Sequence, residues 1–318
     1  MLKNAIIKAY CRQVHTRNED TGNVFYFSPQ QFKGLHCKAH SFASSLGHTL
    51  QGYFYYYDAP AAGRIVILDH GMGSGHRGYM KEIELLARHG YLVFAYDHTG
   101  CMESGGESTN GFAQSLRDLD DAVKMLKVQY QDHTLSVIGH SWGAFSTMNI
   151  GALHPDIKHQ VALSGFISVE AMLHQLFHGF TALFYKHIFA IEQRANPEYI
   201  KFDACNSLTK TNAKVLLIYS EDDPTVRAKY HFDVLEKKLH NRDNIRFLRV
   251  SGKAHSPNYT EDAVKYKDAF FKALTDRIKK KQLVTAAQKQ AFVAAWDWER
   301  MTAQDEKIWS EIFKTLDN

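Results

Sequence analysis

Residues 135–155, "LSVIGHSWGAFSTMNIGALHP", decide how the rest of the chain is read. The run "LSVI" fits the end of a buried strand, and the small residues from Ala144 onward fit a closely packed helix. Between them stand Gly139-His140-Ser141-Trp142-Gly143. A strand that turns straight into a helix holds the residue at the bend in a strained conformation above the sheet edge. Glycine two places before and two places after lets neighbouring backbone close in without a Cβ clash. The serine side chain is then exposed, and the first turn of the helix offers unpaired N–H groups to developing negative charge. Five such residues alone say little. Set between a strand and a helix, they mark Ser141 as a candidate nucleophile.

Outward from this point, strand-like runs alternate with helix-like stretches. Residues 49–57, 64–71, 91–100, 160–166, 214–223 and 245–255 read as strands, most of them nearly continuous apolar runs. Residues 79–90, closed by Gly90, and 114–130, with Leu116, Leu119, Val123 and Leu126 at helical spacing, read as helices. This alternation predicts a mostly parallel sheet covered on both faces, with working residues gathered at the carboxyl ends of the strands.

Two segments interrupt the pattern. Residues 165–208 are too long for one crossover helix and contain "AMLHQLFHGFTALFYKHIFAIEQ", which reads as a small helical cap. Residues 276–318 read as a helical C-terminal extension with Trp296, Met301, Trp309, Ile312 and Phe313 on its apolar side, a packing element or a dimer contact. The expected core is therefore discontinuous, residues 1–164 and 209–275, with residues 1–45 as a lead-in.

A serine hydroxyl needs a base to take its proton and a third group to hold that base. Asp222 and Asp223 follow the strand in "LLIYSEDDPTV", and His255 follows the last strand in "VSGKAHSP". With these residues in view, the chain resembles the α/β-hydrolases, in particular the serine hydrolases that include monoacylglycerol lipase-like and serine aminopeptidase S33-like esterases. The resemblance runs from about Leu46 to about Leu274.

It implies an α/β-hydrolase fold and a triad in the order Ser141, acid, His255. Ser220 stands where the family's G-x-x-D pattern has glycine; counting on gives Asp223, with Asp222 the alternative. The family's HG-x-x pattern matches His70-Gly71-Met72-Gly73. It implies an oxyanion hole made of the Met72 and Trp142 backbone N–H groups, with His70 and Gly71 at the substrate side and His70 bracing the loop. The D-x-x-G-x-G-x-S segment matches through Asp97, Gly100 and Ser104, but Met102 replaces the second glycine. Asp97 reads as a loop anchor.

The expected function is a serine hydrolase cleaving carboxylic esters through an acyl-enzyme on Ser141, of carboxylesterase, monoacylglycerol lipase or lysophospholipid lipase type. Acyltransferase or thioesterase chemistry on the same triad is the nearest alternative, and a non-catalytic binding protein on this fold is the alternative from another class. Phe177, Phe180 and Phe184 of the cap are candidates to roof the serine, which favours an apolar acyl group; the alternative is that they only pack the cap onto the core.

Composition narrows the classes. The chain is 45% hydrophobic and 23% charged, with a net charge of +4, too mild to imply a nucleic-acid partner. The basic run from Arg277 to Lys281 reads as a solvated helix face. Cys11, Cys37, Cys101 and Cys205 lack CxxC spacing, which suits reduced thiols. No apolar run approaches the roughly 18 residues of a membrane span, and the N-terminal run is too short for a signal peptide, so a cytoplasmic protein is expected. His36 with His40, and His174 with His178, lack the glutamate of a zinc motif, and G-M-G-S-G lacks the third glycine of a dinucleotide loop. No metal or cofactor is expected; the partner is a small-molecule ester, with room for a homo-oligomer.

Overall fold

The apolar runs become the inner strands of one eight-stranded sheet in a computed structural model that describes residues 2–58 and 63–318. The strands are β1 (His36–Ala43), β2 (Thr49–Tyr56), β3 (Arg64–Asp69), β4 (Leu92–Tyr96), β5 (Thr134–His140), β6 (His159–Leu163), β7 (Lys214–Ser220) and β8 (Ile245–Val250). Their spatial order is β1-β2-β4-β3-β5-β6-β7-β8; β2 runs antiparallel to both of its neighbours, β1 and β4, and β3 to β8 are mutually parallel.

The helices, in chain order, are α1 (Leu2–Val14), α2 (Met80–Arg88), α3 (Gln114–Gln129), α4 (Trp142–Ile150), α5 (Val169–Leu176), α6 (Tyr185–Ala195), α7 (Ala204–Ser207), α8 (Phe232–Leu239), α9 (Glu261–Lys279), α10 (Ala286–Ala294), α11 (Trp298–Met301) and α12 (Glu306–Leu316). Strand side chains alternate between two cores. Ile65 and Ile67 of β3 join Leu116 and Leu119 of α3, Phe145 of α4 and Phe232 of α8. Val66 and Leu68 join Ile83 and Leu86 of α2 with Ile308 and Ile312 of α12. Both faces of the central strands are thereby dry, which is why these runs carry no polar alternation.

The lead-in, the extension and the segment 165–208 each take a definite place in the structure. The lead-in already belongs to the fold, because β1 extends the sheet edge and α1 buries Tyr10 and Val14. Strand β1, "HCKAHSFA", is mostly exposed, so an edge position left no apolar run to read. The extension does not stand apart. Trp309, Ile312 and Leu316 of α12 are buried in the core shared with β6 and β7. Segment 165–208 does form helices, α5, α6 and α7 with a 3-10 turn at Gly179–Phe184. Glu192 of α6 anchors it, accepting from Tyr10 Oη at 2.7 Å and Phe112 N at 2.7 Å, with His15 Nε2 at 2.6 Å.

Candidate active site

Strand β5 passes into α4 with only Ser141 between them. Ser141 has φ 56° and ψ −109°, a region that costs about 1–3 kcal/mol for a non-glycine residue. Its amide donates to Leu163 O on β6 at 2.8 Å, and its carbonyl accepts from Phe145 N at 3.1 Å, so neighbours on both sides hold the bend. The two flanking glycines are sterically required. A Cβ on Gly143 would lie 2.0 Å from the Asp69 carbonyl oxygen of β3, and one on Gly139 would lie 2.3 Å from the Gly143 carbonyl oxygen.

The loops after β7 and β8 bring the other two residues in. His255 Nε2 lies 2.8 Å from Ser141 Oγ, and His255 Nδ1 lies 2.7 Å from Asp223 Oδ2. Asp223 is buried, and its Oδ1 accepts from Thr225 N at 2.7 Å and Val226 N at 3.0 Å. Asp222 faces elsewhere: it accepts from Ser220 Oγ and, at 3.3 Å, from Ala254 N. Burial pushes its carboxyl up, but these donors outweigh that and hold it below the usual carboxylate range. Thus Asp222 serves the loop carrying His255, and Asp223 meets the imidazole.

Such a strand–turn–helix bend, with an imidazole and a carboxylate delivered from later strand ends, is shared by a large group of hydrolases. A sequence model of one group, described as serine aminopeptidase, S33, matches residues 60–238, more than half of the chain. The chain belongs to this family.

A monoglyceride lipase homolog of monkeypox virus is 27% identical to this family member over 111 residues, 34% of this chain and 40% of that protein. A monoacylglycerol lipase of Mycolicibacterium smegmatis is 32% identical over 108 residues, 32% of this chain and 37% of that protein. The matched stretches span less than half the length of these relatives. Among solved structures, an esterase from Pyrococcus furiosus aligns with TM-score 0.59 and 20% identity, covering 89% of this chain and 98% of its own. An α/β-hydrolase from a Penicillium species aligns with TM-score 0.52 and 15% identity, covering 81% and 99%. The fold is that of the α/β-hydrolases.

In this S33-family chain a cavity of about 400 Å³ opens at Ser141 and His255. Gly71 and Met72 lie on its wall. Trp142 N–H opens α4, where a helix has no acceptor of its own to give. His70 does not reach the cavity; it is fully buried, with Nδ1 2.7 Å from Gly71 O and Nε2 accepting from His98 N at 3.0 Å. Its hydrogen bonds tie it to the loop backbone, and it is not among the residues that line the cavity, whereas the sequence reading sets it at the substrate side.

The cap aromatics also lie elsewhere. Phe177 packs against the core beside Tyr10, Phe180 is 65% exposed, and Phe184 meets Phe180 edge-on; none lines the cavity. The apolar wall comes instead from Phe25 and Phe27 of the lead-in, Phe271 of α9, and Trp298 and Met301 of α11. Sequence reading missed these residues because each is an ordinary apolar position until the ends of the chain fold over the site.

His140, the residue before the serine, was also passed over. Its Nε2 lies 2.6 Å from the His255 carbonyl oxygen and its Nδ1 2.8 Å from Tyr79 Oη, which accepts from Gly71 N at 3.0 Å. Burial, reinforced by the adjacent His255, pushes His140 well below the ordinary imidazole value. A carbonyl can only accept, so neutral His140 carries its proton on Nε2 and accepts from Tyr79 at Nδ1. This chain of bonds ties the backbone of His255 to the loop that carries Met72.

Met102 takes up the missing family glycine by adopting φ 43° itself. Asp97 anchors the same region: its Oδ1 accepts from His76 N at 2.8 Å and lies 2.8 Å from His76 Nδ1, and its Oδ2 accepts from Glu103 N at 3.2 Å. Burial pushes Asp97 up, but His76 outweighs it and holds the carboxyl at about 2. Of the discounted histidines, His36 and His40 lie on β1, and His174 stacks on Tyr185 at 4.3 Å. The four cysteines are unpaired.

Beneath the site a buried histidine lies between two buried carboxyl groups. His98 Nδ1 is 3.3 Å from Asp118 Oδ2, and Nε2 is 2.9 Å from Asp69 Oδ1 as an ion contact without hydrogen-bond alignment. Burial alone would push this imidazole down; Asp69 and Asp118 outweigh it and hold it at about 9. Raised above an unfolded value near 6.5, His98 contributes full stability below about pH 6.5 and loses it as pH climbs through 9. The expected loss is about 3 kcal/mol between pH 6 and pH 10, read from urea unfolding. A His98→Gln protein should be less stable at neutral pH and lack that alkaline decline; a His98→Gln curve parallel to wild type would refute the assignment.

Proposed function

We propose that the protein is a serine hydrolase that cleaves carboxylic esters through an acyl-enzyme on Ser141. The observation carrying this reading is the unbroken relay from Ser141 Oγ through His255 to buried Asp223, at 2.8 and 2.7 Å, on a strained bend that aims the hydroxyl into a cavity. Ser141 Oγ attacks the ester carbonyl while its proton passes to His255 Nε2. Asp223 holds the Nδ1–H tautomer and stabilises the imidazolium.

The tetrahedral oxyanion is placed against the N–H groups of Met72 and Trp142, each worth about 3–4 kcal/mol by analogy with other such holes. Collapse expels the alcohol with the proton from His255. Water then attacks the acyl-enzyme with His255 as base, giving the carboxylic acid and free Ser141.

The lipase names of the relatives, and the aromatic wall of Phe25, Phe27, Phe271 and Trp298, support an ester with an apolar acyl group. The expected result with a fluorophosphonate probe is one adduct per chain, mapped to Ser141 by peptide mass spectrometry, together with hydrolysis of p-nitrophenyl esters that the probe abolishes. Folded wild-type protein that neither labels nor turns over short and medium acyl esters would reject the proposal.

A further inference from the structure

The cavity at Ser141 holds more positive charge than ester cleavage calls for. Helix α9 contributes Lys267 and, one turn later, Phe271 to its wall. The Lys267 ammonium donates to Ser256 Oγ at 3.2 Å and sits 4.9 Å over the Tyr259 ring. Ser256 directly follows His255, so this cation stands beside the proposed base. Arg77, on the same wall, lies over the Tyr26 ring at 5.3 Å.

Nearby lysines are treated differently. Lys253 is held by Asp305 at 2.6 Å and by the Tyr259 carbonyl at 2.7 Å, and Lys81 pairs with Glu299. Among the described residues neither Lys267 nor Arg77 has a carboxylate within 4.0 Å. An ammonium has three donors and a guanidinium five; among the described residues Lys267 spends one on Ser256, and the Arg77 guanidinium donates to no protein acceptor. Cations drawn partly out of water without a counter-charge cost free energy, which argues for a partner that arrives with the ligand.

Glu82 also lies on the wall, where one of its oxygens accepts from Asn258 Nδ2 at 3.0 Å and burial pushes its carboxyl up, so the wall sets one carboxyl group against two cations. Burial likewise pushes Lys267 down, with Glu82 opposing; a bound anion would push it back up.

We infer that the site takes an ester carrying an anionic group, a carboxylate or a phosphate, which binds Lys267 within the field of Arg77 while the apolar part lies along Phe25, Phe27 and Trp298. This deepens the serine-hydrolase reading and rests on it for turnover. It makes the cavity amphipathic: apolar on the side built by the chain ends, cationic beside His255.

The test compares matched pairs on the full chain: p-nitrophenyl adipate half-ester with its methyl-capped form, and a monoacylglycerol phosphate with the same monoacylglycerol. The wild type is expected to favour the anionic member of at least one pair by tenfold or more in kcat/KM, and the responding pair identifies carboxylate or phosphate. Lys267→Met, which keeps the apolar stem, should cut that ratio at least tenfold, and Lys267→Arg should recover part of it. No preference in either pair, or equal loss for both members of a pair in Lys267→Met, would overturn the inference.

Calorimetric binding of both anionic members, the adipate half-ester and the monoacylglycerol phosphate, to Ser141→Ala protein, with and without Lys267→Met, separates the two readings. Binding of either one weakened tenfold by Lys267→Met supports the anion site even if wild-type Ser141 never labels with a fluorophosphonate. An unchanged Kd for both refutes the site whatever the turnover.

Discussion

Ester turnover by Ser141→Ala is expected to fall by a factor on the order of 10⁴–10⁶, the loss seen when one member of a cooperating triad is removed. The oxyanion donors and the cavity survive the substitution, so a residual rate above water is expected, together with complete loss of fluorophosphonate labelling. The fold should hardly notice. Ser141 Oγ makes its contact with His255 Nε2, while the backbone bonds to Leu163 and from Phe145 persist in alanine. The φ of 56° strains alanine as it strains serine, so no relief is available either. A melting temperature within a few degrees of wild type and kcat/KM below one part in a thousand is the expected pair of results. Retention of more than about a tenth of the activity would move the nucleophile elsewhere.

The second large effect discriminates two adjacent carboxylates. Asp223→Asn should lower kcat by a factor on the order of 10⁴, because an amide facing His255 Nδ1 favours the wrong tautomer and cannot stabilise the imidazolium. Asp222→Asn should cost only a few-fold. Its oxygens brace Ser220 and the Ala254 amide, and an asparagine carbonyl can keep one of those bonds, for a loss of about 1 kcal/mol. Both variants keep side-chain volume, so circular dichroism and melting curves should show folded protein. A larger kinetic loss in Asp222→Asn than in Asp223→Asn would reverse the assignment of the acid.

The candidate site was unevenly legible. The bend at Ser141 has a local signature, since glycine spacing and the switch from strand to helix sit within a few residues. His255 and the two aspartates could be found because strand ends are visible as the close of apolar runs. Choosing between Asp222 and Asp223 was a count of positions until the loop after β7 folded, with Thr225 and Val226 amides turning Asp223 inward. The cap aromatics left two readings open for a related reason: a run of phenylalanines marks burial, but it does not say against what. Phe177 found Tyr10 and the core, while the wall at the serine was assembled from Phe25 near one end of the chain and from Phe271 and Trp298 near the other.

By itself the sequence determined the alternating architecture, the strained serine and the order of its partners, because each depends on periodicity or turn chemistry within a short window. Tertiary structure alone decided that residues from both ends of the chain line the cavity. It also decided that a lysine with no carboxylate within 4.0 Å among the described residues stands beside His255. Those outcomes follow from which distant apolar surfaces bury one another best, a free energy summed over long-range contacts that leaves no mark on local residue patterns.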